Sequence, residues 1–497
     1  MRIFHVSTTI LALLLTGCMV GPDYKKPDAP VSAAYKELLP GWKISTPSDA
    51  LDKGAWWSIF NDPLLDHLER EVNVSNQTLK EFEASYRQAQ DVVQEARGQL
   101  FPVLTAETSG TRSKSGFGSF SGPNGGNIAF GPSSSSRLRS NFSLEANATW
   151  DIDVWGRIRR TIESDVANAQ ASEADLANAR LSAQASLASD YFDLRAADAT
   201  QALLNDAVAQ YTRSLQITMN QYNAGTAARS DVITAQTQLQ TTQAQAVGVG
   251  VARAQFEHAI AVLTGHPPAD LAIGPGTLAS DVPVVPPSVP ASLLERRPDV
   301  ASAERHMQQE NALIGVAIAA YYPDISLSGL FGYTGSPLRS LISAANQVWS
   351  LGAGATQSVF QGGSLVAATA AARASYDNAV AVYRQTVLTA LQQVEDGLSG
   401  LRILEQQAAA QAIAVASARR AVDIALNEYR AGTQAYTAVV VAQTTALNDE
   451  EAAVSIQQNR LLASVALIEA LGGGWNTGKM ANAEDLQNGL PFLAKPP

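Results

Sequence analysis

Five histidines and a single cysteine are the residues with the widest chemical repertoire in this chain of 497 residues. The histidines are His5, His67, His258, His266 and His306, scattered along its length. His258 and His266 are too far apart to share one helical face, where neighbours are three or four positions apart. No HExxH, GxSxG or Walker-type phosphate loop occurs. Asp299 and Glu304 follow the Arg-Arg-Pro run at 296–298, where capping and ion pairing are their expected roles. The reading is a non-enzyme with no resident metal and no cofactor. One cysteine, Cys18, leaves no internal disulfide and no cysteine-rich zinc site. A formal net charge of −11 speaks against nucleic acid, which needs clustered positive charge.

The cysteine points to a different chemistry. Met1-Arg2 carries a positive charge, residues 10–15 (ILALLL) are apolar, and Thr16-Gly17 are small. That is the pattern of a secretory signal peptide, too short for a transmembrane helix of about 20 residues. "LTGC" (15–18) resembles the bacterial lipobox. The resemblance implies a signal over 1–17 and cleavage before Cys18. It also implies a covalent lipid, palmitate included, on the thiol and the new amino group. Residues 18–61 are then a lipidated N-terminal extension. Each buried CH₂ of an acyl chain contributes about 0.8 kcal/mol, and more than one chain makes a stable anchor. Met19 in place of an aspartate resembles the lipoproteins sorted to the outer membrane.

The chain repeats itself. "NQYNAGTAARSDVITAQT" (220–237) resembles "NEYRAGTQAYTAVVVAQT" (427–444) at an offset of 207, which Arg195/Arg402 and Gly156/Gly363 share. Upstream the offset is 221, for Glu83/Glu304, Gln88/Gln309 and Pro102/Pro323. The difference falls in the Ser/Gly-rich stretch 109–139. We expect a first repeat over 62–264, a Pro-rich linker over 265–290, a second repeat over 291–472 and a tail over 473–497.

Each copy contains one hairpin. In 141–152 (NFSLEANATWDI) apolar and polar residues alternate strictly, as in a strand with one apolar and one polar face. Its length suits a tilted membrane strand. Strands are expected at about 99–110, 140–152, 324–333 and 348–360. A soluble sheet with one wet face is the rival for any single segment. Residues 157–222 and 364–429 contain no proline and almost no glycine. Each predicts a helix of about 100 Å at 1.5 Å per residue, ended by an Ala-Gly-Thr turn and followed by a second helix. Four strands cannot close a membrane barrel, because an open edge in lipid leaves backbone groups unpaired. Several copies must pool their strands.

These features meet in the TolC-like outer-membrane factors, in the OprM/NodT branch of lipoproteins from RND efflux systems. "CMVGPDYKKP" (18–27), "WWSIFNDPLLDHL" (56–68), "LERRPDVASAERHMQQENALIGVAIAAYYPDISLSG" (294–329) and "ALGGGW" (470–475) each resemble motifs of that branch, in its order. The resemblance implies a mostly α, α+β fold. It implies a homotrimer with a 12-stranded outer-membrane β-barrel, four strands per protomer, above a long periplasmic α-helical barrel. The implied function is passive export of small molecules (multidrug resistance), delivered by an inner-membrane pump through a periplasmic adaptor. Outer-membrane lipid is the remaining partner.

The resemblance also implies a gate. The turns at Gly225-Thr226 and Gly432-Thr433 become the periplasmic tips. Asp231 matches the family's first-hairpin gating aspartate and Tyr429 its second-hairpin gating tyrosine, so a Tyr429–Asp231 contact is expected. Tyr222 and Arg229 belong to the same first tip. The second tip departs from the pattern: Gln434 stands where an arginine can occur, and Ala438 and Val441 where acidic residues can occur. Val440 and Val441 would then form an apolar constriction. Two alternatives stay open: the exit duct of a type I protein secretion system, and a coiled-coil spacer lipoprotein.

Overall fold

The computed structural model describes residues 19–32, 34–37, 55–114, 138–285 and 293–488. Cys18, the signal, the middle of the 109–139 stretch and the end of the tail lie outside them. The first repeat opens at Asp62. Its Oδ1 accepts from the amides of Leu64 (2.9 Å) and Leu65 (3.3 Å), with Pro63 in the first turn of α1 (Pro63–Ser75). The other carboxylate oxygen accepts from the Tyr191 hydroxyl at 2.5 Å and ties α1 to the long helix. Asn76 caps α2 (Gln77–Gly98) through the Leu79 amide at 3.0 Å. Then come β1 (Val103–Lys114), β2 (Leu138–Ile152), α3 (Arg157–Asn223) and α4 (Arg229–Leu263). The second copy follows with α5 (Pro298–Ala319), β3 (Asp324–Gly335), β4 (Gln347–Thr356), α6 (Ser364–Arg430) and α7 (Tyr436–Ala470), before the short α8 (Ala483–Asn488).

From α2 onward the copies correspond element by element, while the place of α1 holds only the short helix Leu293–Arg296 in the second. α3 and α6 each span 67 residues, α4 and α7 each 35, and α2 and α5 each 22. Three strand boundaries differ from expectation, one of them the end of β1, which runs on to Lys114 rather than 110. β1 begins at Val103 rather than near 99, because the end of α2 tightens into a turn: the amides of Gln99, Leu100 and Phe101 donate to the carbonyls of Ala96, Arg97 and Gly98. Pro102, with no N–H, follows that turn. β4 stops at Thr356 rather than 360. Its last partner is Asp324, and Pro323 just before it offers no amide to continue the ladder.

The four strands form one antiparallel sheet in the order β1-β2-β3-β4, so the β2–β3 pairing joins the two repeats. Register sorts the side chains by parity. Leu104, Ala106, Phe142, Leu144, Trp150, Leu327, Phe331, Trp349 and Leu351 share one face. Ser109, Ser143, Glu145, Asn147, Ser326 and Ser328 share the other, where the Ser109 and Ser143 hydroxyls are 2.7 Å apart. Among the described residues the outer edges of β1 and β4 have no partner.

Below the sheet, the principal core surrounds the middle of α3. Trp56, Leu65, Leu68, Tyr191 and Phe192 pack there with Val394 of α6 and Leu461 and Val465 of α7. Residues 19–32 and 34–37 run down the outside as a strap. The Val20 amide donates to the Trp155 carbonyl at 3.1 Å. The buried Arg160 guanidinium donates to the carbonyls of Val20 (3.2 Å) and Gly21 (3.3 Å) and to Asp23 (2.9 Å). Lys26–Glu304 (2.6 Å) and Arg402–Glu37 (2.5 Å) continue the attachment toward the core.

Both long helices end alike. The Gly225 amide donates to the Tyr222 carbonyl and the Thr226 amide to the Gln221 carbonyl; Gly432 and Thr433 do the same to Tyr429 and Glu428. These are Schellman closures, with glycine in the left-handed region at φ 77° and 74°. A Cβ at either glycine would meet nothing within 4 Å. Gly265, after α4, differs: at φ 75° its added Cβ would lie 2.3 Å from the Ser75 carbonyl oxygen. Gly225→Ala should therefore cost only the conformational term, about 1–2 kcal/mol. Gly265→Ala adds a clash and should lower the melting temperature clearly more; equal losses in thermal unfolding would contradict this.

Glu69 of α1 is fully buried, and neither carboxyl oxygen has a partner among the described residues. Burial, helped by Asp66, pushes its carboxyl well above the ordinary 4.5. The group stays protonated in the folded chain while the unfolded chain ionises. Its contribution therefore turns against the fold as pH rises from the ordinary value through the folded one. Glu69→Gln should raise the melting temperature, with a larger gain at pH 8 than at pH 5. An equal gain at both values would mean that the carboxyl already ionises in the fold.

Candidate functional site

The two hairpin tips lie side by side at the far ends of α3 and α6, about 100 Å of helix from the sheet. Gln221 at the end of α3 donates through Nε2 to the Tyr429 carbonyl at 3.3 Å, joining the tips within one chain. The Thr226 and Thr433 hydroxyls each fold back onto a carbonyl of the preceding helix, Gln221 and Glu428, at 3.0 Å. Gly225, Thr226, Gly432 and Thr433 thus shape the turns and leave the side-chain chemistry to their neighbours.

Tyr429 is 5% exposed, its ring packed against Tyr436 (centroids 5.1 Å apart), with Ala235 and Val439 alongside. Its hydroxyl is buried and makes no hydrogen bond of good geometry among the described residues. Burial raises the Tyr429 hydroxyl above its ordinary value, and the Asp231 charge adds to the rise. Burial likewise pushes Tyr436 up to about 12, with Asp231 again contributing. Asp231 is thus near both rings but not hydrogen-bonded to either. It sits half-buried in the first turn of α4, where the helix N-terminus favours a carboxylate. Tyr222, at the matching position of the first copy, is 43% exposed, and Arg229 is exposed with no ion pair among the described residues. The residue missed from sequence is Tyr436. It occupies the place of Arg229 in the repeat, so the one position where the two tips differ most in character was the available signal.

The two valines take different surroundings. Val440 packs beside Tyr429, Tyr436 and Ala235. Val441 is 66% exposed and faces a shallow groove of about 500 Å³ between α6 and α7, lined by Ala418, Ala421, Ala438 and Ala442. Above the tips, polar contacts hold the hairpins in register. The Gln443 carboxamide donates to Ser214 at 2.9 Å, the Tyr211 hydroxyl donates to the Gln443 carbonyl at 3.3 Å, and Arg419 pairs with Glu450. Among the described residues no cluster of three or more His, Cys, Asp or Glu could hold a metal ion. The tip offers a surface of polar groups, small residues and one buried hydroxyl, suited to contacts that form and part between helices.

Comparison with known proteins agrees with this geometry. The family model described as "Outer membrane efflux protein" matches residues 69–266 and 289–473, one segment per repeat. The antibiotic efflux pump outer membrane protein ArpC of Pseudomonas putida is 29% identical over 483 residues, 95% of each chain. The toluene efflux pump outer membrane protein TtgC of Pseudomonas putida is 28% identical over the same span, again 95% of each. Among solved structures, the outer-membrane channel OprN superposes with a TM-score of 0.83 at 29% identity, covering 92% of this chain and 100% of that one. With its duplicated hairpins, single four-stranded sheet and paired long helices, this chain belongs to the outer membrane efflux protein family, a TolC-like outer-membrane channel of an efflux system.

Proposed function

We propose that three copies assemble into a passive exit duct for small molecules, fed by an inner-membrane RND pump through a periplasmic adaptor. The observation that carries the trimer is the four-stranded sheet with both outer edges unpaired. A sheet in lipid must close on itself, and three copies supply a 12-stranded barrel. Small apolar cargo fits the antibiotic and toluene systems named for the relatives. A covalent lipid on Cys18 fits the strap, because Met19 packs against Gly156 at the base of the sheet, where an acyl chain could enter the inner leaflet. Nothing in the site favours bond-making chemistry, and the role is that of a channel rather than an enzyme.

At the tip, Asp231 and Tyr429 act as a gate between neighbouring copies. The Tyr429 hydroxyl supports this: its neighbour Thr218 gives it no hydrogen bond of good geometry, and it lies within the field of Asp231. Val441, exposed beside the small-residue groove, supplies the apolar part of the constriction, with Val440 packed behind it. Because the hydroxyl makes no hydrogen bond of good geometry among the described residues, Tyr429→Phe should leave the melting temperature almost unchanged. It should nonetheless raise the closed-state conductance in planar bilayers, as should Asp231→Ala. Unchanged conductance in both variants would remove the gate.

The assembly is tested by mild crosslinking in cells, purification on a C-terminal tag and mass spectrometry. The expected result is a proton-driven pump with its adaptor, and a mature N-terminus that begins at an acylated Cys18. Recovery of an ATP-driven exporter with a secreted protein would instead assign the duct to type I secretion, and an unmodified Cys18 would remove the anchor.

A further inference from the structure

The chain is acidic overall, yet the far ends of its two hairpins are not. Between Glu107 and Glu145 there is no acidic residue, and between Asp324 and Asp377 there is none either. The described cations in those stretches that lie beyond the sheet's middle are Arg112, Lys114, Arg139 and Arg339, all exposed and none in an ion pair. Their end of the sheet is opposite the long helices, which places it at the cell exterior once the helices occupy the periplasm.

Register divides these cations between the faces. β1 pairs with β2 without interruption from Val103↔Thr149 to Lys114↔Leu138. Side chains alternate along such a strand, so Arg112 and Lys114 share the apolar face with Leu104 and Ala106. A Cβ added at Gly110 would lie 3.2 Å from the Phe142 ring, which fixes that ring on the same face. Arg112 is therefore one step beyond the last aromatic of the apolar band, and Lys114 one step beyond Arg112. Arg139, opposite Ser113, belongs to the polar face with Ser109 and Ser143. The apolar face turns to lipid in a closed barrel. At the height of Arg112 and Lys114 the lipid surface changes from acyl chains to headgroups. No carboxylate on that face neutralises them: the neighbouring positions are Leu138, Ser140, Phe142, Tyr333 and Gly335.

We propose that Arg112 and Lys114 form a binding site on the outward face of the barrel for the phosphate groups of the outer-leaflet glycolipid. The guanidinium fork suits a phosphate's paired oxygens, and the ammonium adds a second point charge. The inference rests on the pooled-barrel reading above.

The test uses the full-length protein in neutral detergent, with purified lipid A as the probe and native mass spectrometry as the readout. Arg112→Gln combined with Lys114→Gln should lower bound lipid A by at least about tenfold, since each surface cation is worth about 1 kcal/mol toward anionic lipid. Arg139→Gln, which removes a charge at the same end on the other face, should leave binding unchanged. Dephosphorylated lipid A should bind the unaltered chain about as weakly as lipid A binds the double variant; this arm decides the matter even if the variant fails to assemble. Undiminished binding in the double variant, an equal loss with Arg139→Gln, or indifference to the phosphates would each overturn the proposal. Pore conductance on the same preparation separates the readings: a conducting trimer with no phosphate preference sinks the lipid site alone, whereas a protein that forms no trimer and no pore sinks the barrel.

Discussion

Backbone amides and carbonyls cannot be left unpaired in hydrocarbon, and that constraint organises the molecule. The described residues of one chain supply four strands, too few to close around a pore, and their outer edges have no partner among those residues. Pooling strands between copies removes the edges. The same operation forces the helices beneath into a tube, because each hairpin feeds directly into a helix: β2 leads into α3 at Gly156, and β4 into α6 at Gly363. The barrel therefore sets the spacing of the helices, and the helices carry that spacing to the tips.

The duplication gives this arrangement its regularity, and the two copies depart from it most at their tips. Two Schellman turns with the same hydrogen bonds close two helices of the same length. Around them the side chains differ. The first tip holds Tyr222, Arg229 and Asp231, charged and largely open to water; the second holds Tyr429, Tyr436 and Val440, apolar and packed. Placed side by side, the two unlike tips bring a carboxylate near a buried phenol.

The strap adds a third fixed point. Arg160 is almost wholly buried and offers its donors to the Val20 and Gly21 carbonyls and to Asp23, while Gly21 approaches Gly315 so closely that a Cβ would lie 2.5 Å from the Gly315 Cα. A chain segment held this tightly at the base of the sheet fixes the level at which a lipid on the preceding residue would meet the membrane. The opposite rim carries the cations Arg112 and Lys114 on the apolar face.

Much of this was legible from sequence, for physical reasons. Strict alternation over 141–152 determined a two-faced strand, because side chains on an extended backbone must alternate. Proline-free, glycine-poor runs determined the long helices, and Ala-Gly-Thr determined where they stop, because glycine relieves the left-handed strain there. The constant offsets located the longer loop between β1 and β2. Tertiary structure decided the rest. The start of β1 depended on how tightly α2 ended against Phe101 and Pro102. Burial of Tyr429 and exposure of Tyr222 could not be read from two tyrosines in matching contexts, because burial depends on which helix packs alongside. Nothing in the sequence sets Glu69 apart from other helical glutamates; only the packing around it makes it a buried acid with no partner among the described residues. Local periodicity fixes an element's kind and faces; the neighbours that cover each face come from segments hundreds of residues away, and only the folded chain brings them together.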